Sequence, residues 1–132
     1  MHGLFMPYAR HLFFQAVKTM NNELIVEDLV TGTGKECVKG ALILAHYTGW
    51  LEDGTEFDSS HRRGRPFECV IGVRRVIQGW DKGLMGMRVG GKRKLFVPAD
   101  LAYGDRQIGA HIPPHSNLLF EIELLDVRTR DE

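Results

Sequence analysis

From residue 23 onward apolar and polar positions alternate in short runs, and alternation at period two predicts strands. Leu24, Val26 and Leu29 open the first, which runs into the turn-forming Thr31-Gly32-Thr33-Gly34. Residues 41–51, ALILAHYTGWL, read as a long strand. The Asp53-Gly54 pair ends it and signals a hairpin into Glu56-Phe57-Asp58. After a polar loop over 59–65, alternation returns at 66–72, 92–98 and 118–127. On the last of these Phe120, Ile122 and Leu124 share one face and Glu121 and Glu123 the other, which predicts a sheet with one wet face. The period changes only over 76–84, where Val76, Ile77, Trp80 and Leu84 fall on one side of a helix. Gly79 and Gly83 restrict that helix to about two turns. The pattern predicts an α+β fold, one antiparallel sheet bent around one short helix.

The first twenty residues differ in kind. Leu12, Phe13, Phe14 and Val17 sit at roughly helical spacing, interrupted by Arg10, His11 and Gln15. The stretch is too short for a secretory core and no small-residue cleavage site follows. The expectation is an N-terminal extension over 1–20, disordered or loosely docked, followed by one domain over 21–132. Met20 leaves a later start open, and the lack of a signal points to the cytoplasm.

Composition adds exclusions. A chain of 132 residues with 43% hydrophobic and 26% charged residues has room for one ordinary globular domain. No run approaches the ~18 apolar residues of a membrane span, so no membrane partner is expected. Cys37 and Cys69 are too few for a disulfide scaffold and lack zinc-ligand spacing. The formal charge of zero removes any whole-molecule case for nucleic acid.

The zero is uneven, however. Residues 59–98 hold ten Lys and Arg against Glu68 and Asp81, while the flanking segments are acidic. That block, with Arg62, Arg63, Arg65, Arg74, Arg75, Lys92, Arg93 and Lys94, has two readings. One is a surface for an acidic partner or RNA; the other, which the acidic neighbouring strands favour, is a solvated face.

Candidate chemistry is sparse. Gly86-Met87-Arg88-Val89-Gly90-Gly91-Lys92 fits most of a phosphate-binding loop, but Arg93 stands where Ser or Thr should hold magnesium and a strand pattern follows. It reads as a turn. His111 and His115 are separated by Pro113 and Pro114, so they share no helical face for a metal. No nucleophile is paired with a base. What recurs is apolar bulk beside chain breakers: Tyr47, Phe57, Phe67, Val76, Ile77, Trp80, Tyr103, Ile112 and Phe120. Each alone reads as core, but element ends and loops are where pockets form.

At these residues the chain resembles the FKBP-type immunophilins. The stretch His46-Tyr47-Thr48-Gly49-Trp50-Leu51-Glu52-Asp53-Gly54, followed by Phe57-Asp58-Ser59-Ser60, is similar to their opening motif. Residues 76–84, VIQGWDKGL, resemble their central helix, Ala102-Tyr103-Gly104 and Ile112-Pro113-Pro114 their flap, and residues 118–125 their last strand. The resemblance covers about residues 23–128. It implies a strongly twisted antiparallel sheet of about five strands wrapped around one short helix, and peptidyl-prolyl cis-trans isomerase activity without cofactor or metal. It implies as partners proline-containing peptides, unfolded proteins and the macrolides tacrolimus and rapamycin. A non-catalytic binding module of the same fold is the alternative.

Carried over residue by residue, the resemblance puts Trp80 at the floor of a pocket. It puts Tyr47, Phe67, Val76, Ile77 and Phe120 in the walls, with Phe57, Tyr103 and Ile112 nearer the rim. Asp58, Tyr103, Trp80 and Phe120 are the expected catalytic set, with Asp58 a hydrogen-bond acceptor or electrostatic group rather than a proton carrier. Three features depart from the family pattern: Cys69 for an aromatic, His111 before Ile112, and a charged Asp105-Arg106-Gln107 in the flap.

Overall fold

The computed structural model describes residues 23–130. The expectation for residues 1–20, and for a start near Met20, lies outside the described residues. Six strands form one antiparallel sheet: β1 (Ile25–Val30), β2 (Leu42–Leu51), β3 (Glu56–Ser59), β4 (Phe67–Val70), β5 (Lys92–Val97) and β6 (Leu118–Arg128). Its order is β1-β5-β6-β2-β3, with β4 also on β2. β3 pairs with the later half of β2 and β4 with its first half, so both share one edge of the long strand. The expected helix is α2 (Gln78–Gly83), and a one-turn helix α1 (Ser60–Arg63) stands where the sequence suggested only a polar loop.

That short helix has a local cause. Ser59 caps it by accepting from the Arg62 N–H at 3.3 Å, and Gly64 ends it in the left-handed region at φ 78°. Such a turn is invisible to hydrophobic periodicity because only Ser60 of its four residues is buried.

The inner face of the sheet packs on α2. Ile43, Leu95, Ile122 and Leu124 from the sheet and Trp80 and Leu84 from the helical segment belong to one buried cluster. Gly79 permits this approach: a Cβ there would lie 2.3 Å from a Val97 methyl carbon. The opposite face is drier than the alternation in β6 suggested. Trp50, Phe96 and Leu119, which face one another across three strands, form a second buried cluster with Ile25 packed against it.

One member of the basic block belongs to this framework and to no solvated face. Arg93 is only 8% exposed. Its guanidinium pairs with Asp28 of β1 at 2.7 Å and donates to the carbonyls of Gly83 and Met85 at 2.9 and 3.0 Å. It thereby satisfies orphan carbonyls at the end of α2 while its own charge is met. The loop-like glycine stretch resolves as a turn, with Gly86 at φ 82° and Gly90 at φ 93° delivering the chain into β5.

Candidate active site

Where the sheet curls past the start of α2, side chains from β2, β3, β4, β6, α2 and two loops surround a cavity of about 540 Å³. Its core is a set of rings meeting edge to face. Trp80 meets Tyr47, Phe67 and Phe120 with centroids 5.0, 5.7 and 5.5 Å away and planes 85–90° apart. Phe57 meets Phe120 at 5.8 Å and 85°. Edge-on contacts place the positive rim of one ring on the negative face of the next, so the rings hold one another open instead of stacking shut.

The strands decide which rings meet. Tyr47 lies opposite Ile122, and Gly49 opposite Phe120 on one side and Asp58 on the other. A Cβ on Gly49 would sit 2.6 Å from the Phe57 ring and 3.0 Å from that of Phe120. The missing side chain is the space in which those two rings approach.

Asp58 stands at the edge of this box and is heavily engaged. Its carboxylate accepts from the Tyr47 hydroxyl, from the Arg63 guanidinium and from the Ser59 N–H, the last at 2.8 Å. Arg63 also donates to the Tyr47 hydroxyl at 3.3 Å and lies 5.6 Å from that ring's centre. Helix α1 is what brings Arg63 there. Burial, and then the bond to Asp58, push the Tyr47 phenol up to about 12, against a smaller opposing effect of Arg63. Burial also raises Tyr103, with the Asp58 charge adding to it.

Several donors remain open at the cavity, among them the buried indole N–H of Trp80 at its floor. Among the described residues no group accepts from the Ile77 N–H, which precedes the first turn of α2, nor from the Tyr103 hydroxyl. The loop before Ile77 is held by Asp81 of α2, whose carboxylate accepts from the N–H groups of Gly72 and Arg74 at 2.7 and 2.9 Å. Among the described residues, no three His, Cys, Asp or Glu side chains are grouped to hold a metal ion.

Tyr47, Phe57, Asp58, Phe67, Val76, Ile77, Trp80, Tyr103 and Phe120, named from the sequence, all line this cavity. Ile112 does not. It is 5% exposed in the buried cluster that also holds Tyr47, Trp80 and Phe120, and its N–H and carbonyl both pair with Ile108. Arg74, Arg75 and Arg106 also line the cavity, and sequence reasoning did not place them there. The available signals were the Arg74-Arg75 pair immediately before Val76, counted with the basic block, and the charged flap, noted only as a departure from the family pattern.

The family model for FKBP-type peptidyl-prolyl cis-trans isomerases matches residues 34–125. An FK506-binding protein of Neisseria meningitidis serogroup A is 58% identical over 104 residues, covering 79% of this chain and 95% of that protein. The chloroplastic peptidyl-prolyl cis-trans isomerase FKBP13 of Arabidopsis thaliana is 52% identical over 109 residues, 74% of this chain and 52% of the relative. The crystal structure of AtFKBP13 superposes with a TM-score of 0.74 at 49% identity, over 80% of this chain and 93% of that one. FkpA from Escherichia coli gives a TM-score of 0.77 at 33% identity, over 92% and 58%. Sequence, sheet topology and the helix beneath the aromatic box thus agree, and the chain belongs to the FKBP-type peptidyl-prolyl cis-trans isomerases.

Proposed function

We propose that the aromatic cavity grips the proline ring of a peptide while the preceding amide bond rotates. The observation that carries this is the box itself, an indole floor bounded edge-on by Tyr47, Phe67 and Phe120 and open to solvent on one side. Rotation about the bond faces a barrier of about 18–20 kcal/mol set by amide resonance, and no covalent bond breaks. The chemistry therefore asks for a grip and an environment rather than a nucleophile.

The twisted amide has lost resonance and its carbonyl is less polar than in the planar form. Transfer from water into an apolar site therefore costs the twisted form less, and the difference lowers the barrier. The open Ile77 N–H would fix a carbonyl beside the proline, and the Tyr103 hydroxyl a second. Asp58, already accepting from Tyr47 and Arg63, suits an acceptor that orients the wall and biases the local field. A carboxylate so committed is poorly placed to carry a proton. The same cavity is the proposed site for tacrolimus and rapamycin, whose binding would compete with peptide.

The test is cis-trans exchange in an Ala-Leu-Pro-Phe peptide, measured by NMR exchange spectroscopy with and without tacrolimus. Catalysed exchange that the macrolide abolishes is the expected result. Exchange unaffected by the macrolide would separate the drug site from the catalytic one. A folded protein without catalysis would leave a binding module.

A further inference from the structure

We infer that the arginines at the cavity mouth make the enzyme selective for prolyl peptides carrying an acidic side chain next to the proline. The inference rests on the isomerase reading above and adds the substrate class. Arg74 and Arg75 come from the loop between β4 and α2, and Arg106 from the segment after Tyr103; all three are exposed and line the same cavity as Trp80. Among the described residues none of the three has a carboxylate partner. Arg62, Arg63, Arg88, Arg93 and Arg128 each do, with Glu56, Asp58, Glu36, Asp28 and Asp126.

The acids near the cavity do not pair with these three side chains. Its one lining acid, Asp58, is occupied by Tyr47 and Arg63. Asp81, beneath the loop, accepts from two backbone N–H groups and keeps its charge, so it offsets part of the rim's positive charge without pairing with a rim guanidinium. One of those N–H groups belongs to Arg74, which is held at φ 68°, a conformation a non-glycine residue adopts only when its surroundings impose it. The position of that part of the rim is thus fixed before a ligand arrives.

With Asp58 paired to Arg63, three unpaired arginines against the single charge of Asp81 leave a net positive potential focused on the entrance. A Glu or Asp beside the bound proline would meet guanidinium groups able to form charge-assisted, bidentate hydrogen bonds. A lysine there would be repelled, so the same groups select for one class and against another.

The experiment compares kcat/KM for capped Ala-Glu-Pro-Phe and its uncharged isostere Ala-Gln-Pro-Phe, at low and high salt. The intact chain is compared with the variant carrying Arg74→Gln, Arg75→Gln and Arg106→Gln. The expected result is a preference for glutamate of roughly tenfold at low salt, shrinking toward unity at about 0.5 M salt and in the triple variant. Equal turnover of both peptides by the unmodified protein would overturn the inference while leaving the isomerase reading intact. A preference that survives in the triple variant would overturn it too, since other groups would then be responsible. No turnover of either peptide by folded protein would instead remove the isomerase reading.

Discussion

At the bottom of the cavity Trp80 is 4% exposed and touches three rings edge-on; at its mouth Arg74, Arg75 and Arg106 are exposed and touch no carboxylate among the described residues. The floor is a shape, fixed by the packing that also closes the core. The rim is a field, set by loops that the core does not need. Changing the floor should therefore damage fold and catalysis together, whereas changing the rim should alter which peptide is turned over.

Trp80→Ala tests the floor most severely. It removes a side chain against which Tyr47, Phe67 and Phe120 all lean, and truncations of this kind cost about 3–5 kcal/mol. Urea unfolding should show that loss, and exchange spectroscopy a near-complete loss of catalysis. Trp80→Phe keeps a ring in place and should retain folding with reduced turnover. If Trp80→Ala kept both stability and catalysis, the floor would not be what grips the proline. Gly49→Ala probes the same shape from behind. The added methyl must displace the Phe57 and Phe120 rings, at a cost of about 1–3 kcal/mol in the free energy of unfolding measured in urea and a visible rise in KM.

Asp58→Asn acts at the junction of the two regions, because its carboxylate joins Tyr47 of the wall to Arg63 outside it. The amide can still accept a hydrogen bond but leaves Arg63 without a counter-charge. Turnover should fall by roughly threefold to tenfold with the fold intact, a loss the size of one or two weakened hydrogen bonds. A total loss in a folded protein would point instead to proton transfer through Asp58.

The floor was legible through the resemblance, because residues that singly read as core stand in motifs the family shares. Large rings stand beside breakers in β2, β3, β4 and β6, and the helical run 76–84 places Trp80 with Val76 and Ile77. The rim was not, because one basic block has several fates that only tertiary structure separates. Arg93 is buried under the end of α2, Arg63 turns onto Asp58 through a helix of one turn, and Arg74 and Arg75 reach the cavity through a loop pinned by Asp81. In sequence they are all simply arginines near glycines. Ile112 sits deeper than its sequence context suggests. A hydrophobic residue beside two prolines suggests a flap tip, but Ile112 is buried in the cluster that holds Tyr47, Trp80 and Phe120. The sheet's second dry cluster was hidden because Leu119 breaks the alternation of β6 by one residue, and its partners Trp50 and Phe96 lie on other strands.

The gentlest probe of the boundary between floor and rim is a proton. Tyr47 belongs to the box by its ring and to the Asp58–Arg63 cluster by its hydroxyl, and its phenol is pushed up to about 12 from an ordinary value of 10.0. Below pH 10 both folded and unfolded chains hold that proton, so stability does not depend on it. Between about pH 10 and 12 the unfolded chain releases the proton while the folded chain keeps it, and stability must fall as pH rises. Cys37, raised to about 11 by burial, contributes a separate decline from pH 9. Tyr47→Phe should therefore lower the urea midpoint at neutral pH, through the lost bond to Asp58, yet flatten its decline above pH 10 while leaving the earlier decline in place. Parallel declines in the two proteins would mean that the Tyr47 proton is as free in the folded state as in the unfolded one. The hydroxyl would then not couple the aromatic box to its charged border, and the floor and rim would have to be treated as independent.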